Sequence, residues 1–180
     1  MNNINEIIVP NIPELSFSVN FVNVDKNTTV LRGRHFHKEF EIFRIDDGVM
    51  QLNSGEENLE LRSGDVAFIN SFYIHEIKAI SSKCKATYIQ IDLQPYINVF
   101  LGREDNFLYH YINSQYSEKY RVFRDEKISN IISDILNELT LKDNFYDMQI
   151  KSYIYQLIVY MLRYNFITNH KRLDIKSNEK

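Results

Sequence analysis

The hydrophobic period of this chain changes near residue 95, and that change constrains the fold more than any other feature. Upstream, short runs rich in Val, Ile, Phe and Tyr are broken by turn residues. Downstream, apolar residues recur at helical spacing. Strands are predicted over 17–24, 28–32, 36–46, 49–53, 58–62, 66–70, 75–80 and 86–93. Asp46-Asp47-Gly48, Asn53-Ser54-Gly55 and Ser63-Gly64-Asp65 supply turns between them, since Asp and Asn bond their own backbone and Gly accepts positive φ. Many short strands at this spacing predict an antiparallel sandwich or barrel.

Beyond residue 95, Ile128, Ile131, Ile132, Ile135, Leu136 and Leu139 follow i, i+3, i+4, i+7, i+8, i+11, one face of a helix, with Asp125 placed as its N-cap. Leu141-Lys142-Asp143-Asn144 interrupts the pattern. A second stripe of Ile150, Ile154, Leu157, Ile158, Met161 and Leu162 follows. The short polar link makes the two helices antiparallel. Shorter helices are predicted within 96–113. The chain thus divides into an arm and barrel over 1–94, a helical segment over 95–167, and a charged tail over 168–180. Two partners could cover the stripes: the outer face of the barrel, or the same helices of a second copy. Tyr146, Tyr153, Tyr155, Tyr160 and Tyr164 spread apolar surface around the second helix, which favours both contacts and a homodimer. Ile131, Ile135, Leu139, Ile154, Leu157, Ile158 and Met161 are the residues assigned to that dimer contact.

Charge excludes some functions. The net charge is -3 and no segment gathers Lys and Arg into a dense patch, so the chain lacks the basic face of a protein that binds DNA unaided. Cys84 is the single cysteine, which rules out an internal disulfide and suits a reducing cytoplasm. The N-terminus carries no secretory signal pattern, and no apolar run approaches the roughly 20 residues that span a bilayer.

Three of the five histidines fall in one constellation with a carboxylate: His35, His37, Glu41 and His75. Side chains alternate along a strand, so His35, His37 and Glu41 are expected on one face together with Phe43 and Ile45, with His75 on a neighbouring strand. Three imidazoles and one carboxylate form a possible shell for zinc, iron, manganese or nickel. On straight strand, however, His37 and Glu41 lie about 13 Å apart, and one ion reaches both only if the strand bends or bulges. The other reading is a polar barrel mouth that hydrogen-bonds an organic ligand.

The spacing resembles a known pattern. His35-Phe36-His37-Lys38-Glu39-Phe40-Glu41, six residues, then Gly48 is similar to the first cupin motif. Gly64, five residues, Asn70, Ser71, Phe72, two residues, then His75 is similar to the second, with Asn70, Phe72 and Ala79 where that pattern has Pro, Gly and Asn. The four positions that hold metal in cupin enzymes retain ligand types here. An arm at Ile8-Val9-Pro10-Asn11-Ile12-Pro13, the phrase Leu61-Arg62-Ser63-Gly64-Asp65-Val66-Ala67-Phe68-Ile69-Asn70 and the two C-terminal helices extend the likeness. With them the chain resembles the N-terminal sensor domain of the AraC family of bacterial regulators.

That resemblance implies a cupin-like jelly-roll barrel followed by a helical hairpin. It implies a small organic effector among His35, His37, Glu41, Phe43, His75, Tyr88 and Gln90, with no cofactor and no catalysis. DNA would be reached only through helix-turn-helix units that this sequence does not contain. The alternative is a metal-dependent cupin enzyme, an oxygenase or isomerase, with one divalent ion on His35, His37, Glu41 and His75.

Overall fold

The computed structural model describes residues 4–8, 15–24, 30–55, 57–96 and 120–163. Their strands are β1 (Ile4–Ile8), β2 (Phe17–Val24), β3 (Val30–His35), β4 (Phe40–Asp47), β5 (Val49–Ser54), β6 (Glu57–Arg62), β7 (Val66–Ile69), β8 (His75–Ala79), β9 (Cys84–Ile91) and β10 (Tyr120–Phe123). Two long helices follow, α1 (Glu126–Leu141) and α2 (Tyr146–Arg163). All pairings are antiparallel: one sheet runs β1-β2-β9-β4-β7-β10, the other β3-β8-β5-β6. Two such sheets face each other across a shared apolar lumen, the cupin-like arrangement.

The two sheets read differently in sequence because they are covered differently. In the four-stranded sheet, β5 and β8 alternate strictly between buried and partly exposed side chains, since one face is wet. In the six-stranded sheet, β4 and β7 carry runs of four buried residues. Phe40, Ile42, Phe68 and Ile89 pack on one side against α1 and α2. Phe43, Ile45, Ala67, Ile69 and Tyr88 pack on the other side with Met50, Leu52 and Ile77 of the second sheet.

The turns form where the sequence places them. Gly48 sits at φ +81°, and a Cβ there would come within 2.1 Å of the Lys83 carbonyl oxygen, so the residue between β4 and β5 has to be glycine. In α1, the Asp125 carboxylate accepts the Ile128 N–H as the N-cap, and Tyr160 of α2 donates to the same carboxylate. Arg44 ties β4 to α1 by donating to the Ser129 carbonyl and the Ser133 hydroxyl at 3.0 and 2.9 Å.

Four expectations are altered. The strand predicted over 36–46 begins only at Phe40, because the chain turns through residues 36–39 after β3 ends at His35. The strand predicted over 28–32 extends to His35. β1 and β10 were not expected, and β10 carries the segment assigned to helices back into the barrel by pairing with β7. The helical stripes are buried within the chain: Ile131, Ile135, Leu139, Ile154, Leu157 and Ile158 join the core formed with Phe40, Ile42, Phe68 and Ile89. Their apolar surface is therefore covered by the chain's own sheet and by the other helix. Met161 has its side chain outside the described residues. So do the helices expected in 96–113 beyond Tyr96, the tail, and the arm from Val9 to Pro13.

Candidate functional site

Three elements bring the histidines together. His35 closes β3 and His75 opens β8, and the two are register partners. Their ring centroids lie 4.3 Å apart. His37 belongs to the 36–39 turn, its ring 5.2 Å from that of His75 and 5.7 Å from that of His35. The main chain pins this turn: the Phe72 N–H donates to the His37 carbonyl at 2.7 Å. Phe72 itself adopts a left-handed φ of +60°, unfavourable for a bulky residue and the conformation a glycine would take without strain.

Glu41 lies on β4, 3% exposed, facing the rings. The expectation that His35, His37 and Glu41 share one face of one strand is corrected. Because the chain reverses between His35 and Phe40, His37 folds back so that its Nε2 lies 3.1 Å from Glu41 Oε2. The separation of about 13 Å assumed straight strand, and the turn removes it. Gln90 of β9, the register partner of Glu41, donates to the same carboxylate oxygen at 2.9 Å. His75 Nε2 stands 3.7 Å from Glu41 Oε1.

The hydrogen bonds settle the tautomers. His35 Nδ1 donates to the Gly33 carbonyl, His37 Nδ1 to the Glu39 carbonyl and His75 Nδ1 to the Tyr73 carbonyl, each at 2.8 Å. A carbonyl only accepts, so each Nδ1 carries a proton and a neutral ring keeps its lone pair on Nε2. Each ring offers one nitrogen to a common locus, the three lying within 4.8 Å of one another. His35 Nε2 and His75 Nε2 are buried and have no hydrogen-bond partner among the described residues.

The charges respond to this crowding. Burial pushes the Glu41 carboxyl up, but the His37 hydrogen bond, the His75 and His37 charges and the Gln90 hydrogen bond hold it below the usual carboxylate range. Burial pushes His37 down, and the hydrogen bonds and charges of Glu41 and Glu39 more than reverse this. Its contact to Glu41 through Nε2 needs a second ring proton, so His37 is an imidazolium when only the protein is present. Burial lowers His75, which the Glu41 charge and Tyr73 carbonyl offset only in part.

A cavity of about 30 Å³ adjoins the cluster. His35, Glu41, Phe43 and Tyr88 line it, with the Phe43 and Tyr88 rings 6.1 Å apart. Sequence reading missed Arg32, Leu31, Val22 and Ile77, which complete the lining. Leu31 and Arg32 are consecutive and would point to opposite faces of a regular strand. The register of β3 against β8 shifts on both sides of Arg32, so both reach the same cavity. Gly33 was the available signal, because a glycine inside a strand marks a bulge. A second hollow of about 350 Å³, lined by Ser16, Ser18, Lys38, Glu39, Gln90 and Asp92 among others, lies on the other side of Gln90.

A two-sheet barrel ending in a polar cluster, backed by a helical hairpin, defines a ligand-binding domain of the cupin type. The family model of the AraC-like ligand binding domain matches residues 24–158, and the chain belongs to that family. It is similar in structure to ToxT from Vibrio cholerae, at 17% identity over 88% of this chain and 61% of that one, with a TM-score of 0.59. It is equally similar to ToxT from Vibrio cholerae O395 bound to (E)-4-(8-methylnaphthalen-1-yl)but-3-enoic acid, at 16% identity and a TM-score of 0.59 over 88% and 61% of the two chains. A cupin 2 conserved barrel protein from Salinispora arenicola CNS-205 is 20% identical over 52% of this chain and 80% of that one, with a TM-score of 0.43. The chain thus spans about three fifths of the ToxT structure, 61% of its length. No curated protein matches the chain. Among the described residues, no helix is long and apolar enough to cross a membrane.

Proposed function

We propose that this chain is the effector-sensing part of an AraC-type transcription regulator, and that its sensing centre is a divalent cation held by His35, His37, His75 and Glu41. One observation carries the cation. Three imidazoles commit Nδ1 to carbonyls and are left with Nε2 at a common locus, where two of the three have no hydrogen-bond partner among the described residues. Fixing the tautomer through Nδ1 is how proteins orient metal-binding histidines. A buried lone pair without a donor is unfavourable by about 1–3 kcal/mol, and a cation removes that penalty at both sites. Glu41 supplies a compensating charge. An ion held there by His35, His37, His75 and Glu41 would supply a Lewis acid for an oxygen or nitrogen ligand.

Cavity size separates this reading from a purely organic effector inside the barrel. Pockets for drug-sized ligands measure roughly 300–1,000 Å³, and the space beside His35 and Glu41 is about 30 Å³. The same smallness weighs against a cupin oxygenase or isomerase, which must hold a whole substrate beside its metal. Among the described residues, a hollow of about 350 Å³ behind Gln90 has room for a larger organic effector, which is the specific support for a second reading. There the ligand would act on Glu41 through Gln90.

The regulator reading includes a homodimer and a DNA-binding half outside this sequence. The dimer contact uses side chains other than the buried stripes. Leu141, Phe145 and Met148, along the turn between α1 and α2, are exposed and available.

The test is metal content and cobalt(II) uptake by the whole chain. The expected result is one ion per chain with a histidine-type visible spectrum, lost in His37→Ala and His75→Ala. A chain that binds neither cobalt nor zinc at micromolar concentration rejects the cation centre. Sedimentation as a monomer at the same concentration rejects the dimer.

A further inference from the structure

We infer that Arg32 makes the histidine centre a receptor for a carboxylate, so that the effector is a small organic acid or presents its carboxylate head to this site. This rests on the cation reading above and adds the ligand's chemistry. The cavity beside His35 and Glu41 has two kinds of wall. Val22, Leu31, Phe43, Ile77 and Tyr88 are apolar, and Arg32 stands among them as a permanent cation.

Arg32 is placed for a ligand more than for the fold. It is exposed, it has no carboxylate partner among the described residues, and its recorded contact is the face of the Tyr88 ring at 5.9 Å. Stacking on an aromatic ring steadies a guanidinium while leaving its in-plane N–H donors available. The irregular register of β3 on either side of Arg32 brings this side chain to the cavity beside that of Leu31. A strand that would otherwise turn Arg32 away from Leu31 is deformed at the position that needs a cation.

Charge then selects the guest. A divalent ion brings two positive charges, Glu41 returns one, and Arg32 adds one more. The cavity between them is left with a positive excess against an apolar wall, which an anion relieves. Size narrows the class. A water occupies at least about 10–15 Å³ of such space, so 30 Å³ admits two or three heavy atoms, the size of a carboxylate group. A planar carboxylate also matches the guanidinium fork, which a halide does not.

The test uses the whole chain loaded with cobalt(II), whose visible spectrum reports its ligands, and titrates it with acetate. Saturable spectral change is expected in the wild type. Arg32→Gln should weaken acetate about tenfold, the loss of one charge-assisted contact, without weakening cobalt uptake, and Arg32→Lys should recover part of it. Chloride at equal ionic strength should not compete. Cobalt uptake with no response to acetate, or equal acetate affinity in wild type and Arg32→Gln, overturns the assignment. Calorimetry of acetate on the chelator-treated chain separates the two readings. Arg32-dependent acetate binding by a chain that takes up no cobalt keeps the carboxylate site and removes the cation. No binding in either form removes both.

Discussion

The two faces of the six-stranded sheet are finished in different ways. On the helix side, Phe40, Ile42, Phe68, Ile89 and Ile91 meet Ile128, Ile131, Ile135, Ile154 and Leu157, apolar surface against apolar surface. On the lumen side, Phe43, Ile45, Ile69 and Tyr88 begin an equally apolar core, and at one end it gives way to Glu41 and three histidines. The first face needs nothing further. The second holds two nitrogens without partners and a carboxylate whose charge is balanced by a ring proton. The difference separates an apolar face that closes on the helices from one that ends in ionisable groups.

Substitutions can break that contrast, beginning with the largest effect. Ile135→Ala on α1, at a position with no exposure, should destabilise the chain by about 2–5 kcal/mol, as buried large-to-small changes do. Urea unfolding measures this, and a loss below about 1 kcal/mol would show that the hairpin is not part of the core. The folded fraction should still take up cobalt(II). Glu41→Ala should cost about 1–3 kcal/mol in metal-free protein, since it strips the carboxylate partner from the half-buried, charged His37. Here cobalt uptake should fall steeply, the reverse of the Ile135→Ala pattern. If Glu41→Ala binds cobalt as wild type does, the lumen end is a structural cluster only.

A smaller effect is expected at the joint between hairpin and barrel. Asp125→Ala removes an N-cap and the acceptor for Tyr160, for about 1 kcal/mol. No change in the unfolding midpoint would mean that the helix start is held by burial alone.

The smallest effect is pH dependence, because two histidines oppose each other. His37 has a raised pKa in the folded chain, so its contribution is complete below about 6.5 and lost as pH rises through the raised value. His75 has a lowered one, so its contribution is complete above about 6.5 and lost as pH falls below it. Glu41, also lowered, adds a further loss below about 4.5. Metal-free protein should therefore be most stable near pH 6.5. His37→Asn should flatten the alkaline side and also shrink the loss on the acid side, because His37 helps to lower both Glu41 and His75. Urea midpoints at pH 5, 6.5 and 8 decide it, and a continued rise from 6.5 to 8 would contradict the protonated state assigned to His37.

Much of this was legible before any fold was known. The stripes of α1 and α2, the Asp125 cap and the turns at Gly48, Gly55 and Gly64 come from rules that act over a few residues, and all appear where the residues predict. The seven residues named for the site, His35, His37, Glu41, Phe43, His75, Tyr88 and Gln90, do lie at one end of the lumen. Arg32 was not legible, since only pairing with β8 reveals the shift that brings it to the edge of the cavity. β10 was equally hidden: four residues with no alternation become a strand because β7 offers an open edge.

By itself, then, the sequence determined the strands from β2 to β9, the two long helices, the helix cap and the cluster of ionisable side chains at the barrel end, because periodicity and residue type are local properties. The tertiary structure alone decided that residues 36–39 turn, so that His37 meets Glu41 at 3.1 Å. It decided too that the helical stripes close on their own sheet. Both outcomes depend on which distant surface lies within reach. Only packing answers that, because one apolar stripe satisfies the same local rules against its own barrel or against a neighbour.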